Sequence, residues 1–82
     1  MIIDTHLANY IDPYTHYPAT YSYSHQGLWI GVKVDTDIIL DCKWSFKNPS
    51  KVLMEALANY TDSLVGNPVS STSIENDIKT LL

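Results

Sequence analysis

The side chains of this sequence able to bind a metal or move a proton are few: three histidines, one cysteine and nine carboxylates in 82 residues. His6, His16 and His25 match no helical or hairpin ligand pair, because their separations of ten and nine residues never put two imidazoles on one helical face. A zinc or iron site built on them needs the fold to bring them together, with Asp4 or Asp12 completing the set. The single Cys42 rules out an internal disulfide and points to a reducing compartment. Cys42 alternates with polar neighbours and falls on the apolar side of its run, so it reads as a small core hydrophobe. One thiolate cannot hold an iron–sulfur cluster. The serines and threonines include no Gly-x-Ser-x-Gly turn. Gly27 and Gly31 flank a strand and do not open a helix around a phosphate. Asp35 and Asp37 could attract a cation, but turn chemistry accounts for both. No nucleophile–base pair presents itself, and the expectation is a protein that is not an enzyme.

Other features of the chain are more informative. Five basic residues against nine acidic ones give a net charge of −4, which argues against a nucleic-acid surface, since that needs a basic stripe. No apolar run approaches the ~20 residues of a membrane span, and no basic stretch leads into an apolar one at the start. The expected location is the cytoplasm. One small domain over residues 1–82 would bury about 60–65% of its unfolded surface, a marginal core that a protein partner, a metal or a homodimer would support. Six tyrosines and two tryptophans suit either a core or an interface.

The elements that must position these residues are set by hydrophobic period. Leu28, Ile30, Val32 and Val34 alternate with Trp29, Gly31, Lys33 and Asp35; Ile38, Leu40, Cys42, Trp44 and Phe46 alternate with Ile39, Asp41, Lys43, Ser45 and Lys47. A period of two over this length predicts a hairpin of half-buried strands across 28–46. Both apolar sets share a face if Val34 pairs with Ile38 around a three-residue loop, Asp35-Thr36-Asp37. That register puts Trp29 against Lys43, and Lys33 diagonal to Asp41, on the outer face. These pairs serve either to stabilise the sheet or, with Ile39 and nearby tyrosines, to form an adhesive patch.

A short helix is predicted near the N-terminus, capped by Asp4, with Leu7, Tyr10 and Ile11 on one face and Pro13 ending it. Residues 13–27, with two prolines and Tyr14, Tyr17, Tyr21 and Tyr23, read as an extended wrapping loop or a binding surface, with an optional third strand near 20–25. A helix over 49–65 takes Asn48 as cap and Pro49 at its first position, with Val52, Ala56, Tyr60 and Leu64 in one row and Gly66 closing it. A second helix over 73–82 opens on Thr72-Ser73-Ile74-Glu75, which matches a capping box. The resulting class is α+β, a small antiparallel sheet packed against helices.

Four segments, taken in this order, resemble the U-type iron–sulfur cluster scaffold family (NifU/IscU) over most of the chain. Leu-Ala-Asn-Tyr-Ile-Asp-Pro at 7–13 is similar to the family's first helix and its Tyr-Glu-Asn-Pro-like end. Ile30-Gly31-Val32-Lys33-Val34 and Ile38-Ile39-Leu40-Asp41-Cys42-Lys43-Trp44 resemble its strand pair. Leu64-Val65-Gly66-Asn67-Pro68 looks like the segment before its Gly-Lys-(Ser/Thr)-Leu turn, and Ser73-Ile74-Glu75-Asn76-Asp77-Ile78 like its Asn-x-Asp-Ile helix. In that family three cysteines and an Asp hold the nascent cluster. The resemblance puts the first cysteine near Ser24 or His25, the Asp near Gln26 or Gly27, the second cysteine near Pro49 or Ser50, and the third beyond Leu82. No family ligand carries over. Cys42 lies at a strand position the family does not use.

Two functions follow as expectations. The first is a small non-enzymatic interaction domain, a regulator or inhibitor of a protein partner of the kind phages and mobile elements carry. It would bind through Trp29, Ile39, Lys43 and the tyrosines Tyr14, Tyr17, Tyr21 and Tyr23. The alternative is a metal-binding or sulfur-trafficking accessory using His6, His16 and His25 for zinc or iron.

Overall fold

The computed structural model describes residues 17–82; the expected N-terminal helix, with Tyr14, His6 and His16, lies outside the described residues. Three antiparallel strands, β1 (Tyr21–His25), β2 (Leu28–Asp35) and β3 (Ile38–Ser45), form a meander in the order β1-β2-β3. The helices α1 (Lys51–Leu64) and α2 (Ile74–Leu81) follow, separated by a short 3-10 turn at Val69–Ser71. The chain is an α+β protein in which α1 packs against β3 and α2 against β1. The third strand expected near 20–25 is β1. It joins β2 through Gln26 and Gly27, both at positive φ (49° and 87°), as a tight two-residue hairpin demands.

The β2–β3 connection departs from the expected register. The loop has two residues, Thr36 and Asp37, both left-handed at φ 51° and 68°. Asp35 pairs with Ile38 and Val34 with Ile39, so Val34 does not face Ile38. The ladder then slips by one at Leu40, and Lys33 pairs with Asp41, Val32 with Cys42, Ile30 with Trp44 and Trp29 with Ser45. Lys33 is therefore directly across from Asp41, and Lys43 faces Gly31 in place of Trp29. A two-residue loop does reverse the apolar alternation, as the period argument requires, and the bulge at Leu40 reverses it back. Only the three residues from the turn to the bulge, Ile38, Ile39 and Leu40, depart from the expected alternation. Ile39 is fully buried, whereas Ile38 and Leu40, expected inside, are exposed.

This loop is held from outside the hairpin. Asp37 accepts from the Ser70 hydroxyl at 2.6 Å and the Ser70 N–H at 3.1 Å. Its carbonyl also accepts from Val69 N–H at 2.6 Å. A β-branched Thr at positive φ costs roughly 1–2 kcal/mol, and this clamp supplies bonds that a free turn lacks. Residues 66–69 run along the end of β3, with Ile39 N–H donating to Asn67 C=O and Gly66 N–H donating to Ile39 C=O. Gly66, at φ 92°, makes that exit from α1 possible.

The core lies on one side of the sheet. Leu28, Ile30, Val32, Ile39, Cys42 and Trp44 face Leu57 and Leu64 of α1 and Ile74 and Ile78 of α2. Helix α1 starts two residues later than Asn48 and Pro49 suggest: Asn48 turns at φ 57°, and Ser50 is the cap, its hydroxyl accepting from Leu53 N–H at 3.1 Å. Its buried stripe runs through Leu57, Thr61 and Leu64, not through Val52, which is 78% exposed. Thr61, fully buried, satisfies its hydroxyl on the carbonyls of Leu57 and Ala58. The capping box is not formed. Ser73 occupies the cap of α2 without a side-chain bond, and Thr72 donates back to Val69 C=O at 2.7 Å. The helices are joined by the Tyr60 hydroxyl donating to Asp77 at 2.6 Å.

Candidate interaction surface

Both helices lie on the core side; among the described residues the outer face of the sheet is formed by Trp29, Gly31 and Lys33 of β2, Asp41, Lys43 and Ser45 of β3, and the strand-entry segment 17–20. Tyr17 is the organising residue. Its ring meets Trp29 edge-on at 6.1 Å and 82°, its hydroxyl donates to Asp41 Oδ2 at 3.0 Å, and the Lys33 ammonium sits 5.4 Å from its ring centroid. An edge-to-face pair and a cation over a ring are each worth about 0.5–1.5 kcal/mol. Burial and the Asp41 carboxylate hold the Tyr17 phenol protonated, well above the usual range. Tyr17 is therefore a neutral donor across the physiological range.

Beneath Tyr17 the sheet is shaped for Trp29. A Cβ at Gly31 would lie 2.3 Å from Trp29 Cη2 and 3.0 Å from Ala19 Cβ, so the indole lies over a position where only glycine leaves room. The segment is tied down by Thr20, whose N–H donates to Val32 C=O at 2.7 Å and whose hydroxyl accepts from Val34 N–H at 3.0 Å. Tyr17 thus reaches across β2 to β3 from an anchored base.

The expected binding residues separate into groups. Trp29, Lys43 and Tyr17 share the outer face. Ile39 does not; it is buried under the helices, on the opposite side from Trp29, and cannot contact a partner. Tyr21, Tyr23 and His25 pair with Val32, Ile30 and Leu28 and so fall on the helix side. Tyr21 is half exposed, while Tyr23 packs against the core. Burial, then the charge of Glu75, raises the Tyr23 phenol. His25 lines a cleft of about 270 Å³ between β1 and α2, with Ser24, Glu75 and Lys79 on its walls. Among the described residues no three His, Cys, Asp or Glu side chains cluster as a metal site. The expected Trp29–Ile39 patch therefore dissolves, and Ile38 and Leu40 replace Ile39 as the apolar residues in water. The bulge that exchanges them carries no sequence signal beyond an unbroken Ile38-Ile39-Leu40 run.

Cys42 is buried and free, and burial with the nearby Asp41 pushes its thiol up to about 12. It is neither a nucleophile nor a ready metal ligand. Among the described residues no helix is long and apolar enough to cross a membrane. The chain matches no protein-family model, no curated protein and no solved structure. Function is therefore read from this face alone.

Proposed function

We propose that this chain is a small non-enzymatic interaction domain, a regulator or inhibitor that binds a protein partner with the outer face of its sheet. The observation that carries the reading is the one-sided packing. Both helices cover the core face, and the other face bears Trp29 and Tyr17 in a fixed edge-to-face arrangement with Lys33 and Asp41 beside them. Aromatic side chains already immobilised lose little entropy on binding and are favoured anchors in protein interfaces.

The reading is compatible with an iron–sulfur-scaffold-like resemblance that lacks the cluster ligands. The β1–β2 turn and the segment entering α1, where the resemblance puts two ligands, lie at the same end of the sheet; a Cβ at Gly27 would sit 3.9 Å from Phe46 Cε1. Ser24, His25, Pro49 and Ser50 stand there, where the resemblance would put thiolates.

The test is a footprint. A photoreactive residue in place of the exposed outer-face Ser22 recovers the partner, and amide hydrogen exchange of the purified complex maps the contact. Protection concentrated on residues 29–33 and 41–45 is the expected result. Protection confined to α1 around Val52, or none, overturns the reading.

A further inference from the structure

Ile38, Leu40 and Val65 keep 37%, 57% and 45% of their surface in water. Gly66 donates its N–H to Ile39 C=O at 2.8 Å, which sets Val65 beside Leu40. Ile38 is bridged to Pro68 on the same junction. The backbone of the bulged strand thus runs against the exit of α1, with three exposed apolar residues on the two segments.

The hairpin at this corner carries three carboxylates. Asp35 lies across the ladder from Ile38 and accepts from the Thr36 hydroxyl at 3.3 Å. Asp37 accepts from the Ser70 hydroxyl and N–H, and Asp41 from the Tyr17 hydroxyl. All these donors are neutral, so the bonds orient the carboxylates without pairing their charges. Lys33, across from Asp41, places its ammonium over the Tyr17 ring. An exposed apolar group rimmed by fixed negative charge, on a chain of net charge −4, selects its partner by opposite charge as well as shape.

We propose that this corner docks a basic amphipathic segment of the partner protein, an apolar side chain seated on Leu40 between Ile38 and Val65 with lysines or arginines facing Asp35, Asp37 and Asp41. The proposal rests on the interaction reading above and gives the partner's chemistry at the corner adjoining the Tyr17–Trp29 face. Leu40 is the anchor because it is the most exposed of the three and the bulge fixes its backbone.

The probes are two helical peptides, one of leucine and lysine and one of leucine and glutamate, titrated into isotope-labelled protein. The leucine–lysine peptide is expected to shift the amides of residues 38–41 and 65–67, about tenfold more weakly in Leu40→Ser, and more weakly again as salt screens the carboxylates. Asp35→Asn is expected to flatten that salt dependence, and the leucine–glutamate peptide to shift nothing. Shifts centred elsewhere, or unchanged by Leu40→Ser in a variant that melts like the parent, overturn the proposal. So does self-association, or binding to zwitterionic lipid vesicles, that Leu40→Ser abolishes. The two readings fail separately: a partner insensitive to Trp29→Ala ends the outer-face reading, whereas a partner insensitive to Leu40→Ser ends only this one.

Discussion

Trp44→Ala is expected to remove about 3–5 kcal/mol of folding free energy, the range for truncating a large buried aromatic side chain. Trp44 is the largest fully buried residue and lies across from Ile30 at the centre of the layer between sheet and helices. A domain of this length has roughly 4–12 kcal/mol in total, so the variant should lose from about a quarter to all of its stability. Urea unfolding followed by far-ultraviolet circular dichroism checks this. A loss below about 1.5 kcal/mol would mean that the indole is not packed between Ile30 and the helices, and would put the β2–β3 register in doubt.

Stability should also fall as pH rises from about 9 to 12, on the order of 4 kcal/mol from Cys42 alone. The ordinary thiol value is 9.0, and burial first, then the Asp41 charge, pushes the folded-state value up to about 12. Through this window the unfolded chain has lost the proton and the folded chain still holds it. The unfolded state binds fewer protons, so unfolding becomes easier with each step in pH. Tyr60 and Tyr17 act with the same sign, because burial and hydrogen bonds to Asp77 and Asp41 raise both phenols; their contribution begins near pH 10, where an unfolded tyrosine ionises. Cys42→Ala separates the two. Its unfolding midpoint should decline less steeply than that of the parent from about pH 9 to about pH 12, the slope it keeps above about pH 10 being that of the tyrosines. Parallel curves throughout would show that the thiol titrates freely and is not buried.

The elements were legible where pattern and physics agree. Alternation over 28–46, the apolar stripe of α1 and Gly66 at its end all point to structure that is present. What could not be read is how the hairpin keeps its faces consistent. Parity fixes only that the apolar sets must share a side; a three-residue loop and a two-residue loop with a bulge both satisfy it. Thr36-Asp37 lacks the Asn-Gly pattern of a tight turn, and its clamp by Ser70 is a contact across 33 residues that no local reasoning supplies. The consequence is confined to Ile38, Ile39 and Leu40. It decides which of them is in water: Ile39 is buried, and Ile38 and Leu40 are exposed. The tyrosines divide for a similar reason: Tyr21 and Tyr23 follow the strand period onto the helix side, while Tyr17 precedes the strand and crosses the outer face to Asp41.

The most direct measurement is the affinity of the purified partner for the parent chain, for Trp29→Ala and for Val52→Glu, by calorimetry with each variant's melting temperature as a control. Trp29 lies on the proposed face, and Val52 is exposed on α1, away from it. Loss of roughly 2 kcal/mol or more of binding free energy with Trp29→Ala, the size expected of an aromatic anchor, and unchanged binding with Val52→Glu is the predicted result. Equal affinities for Trp29→Ala and the parent, or a loss that follows Val52→Glu, would contradict it.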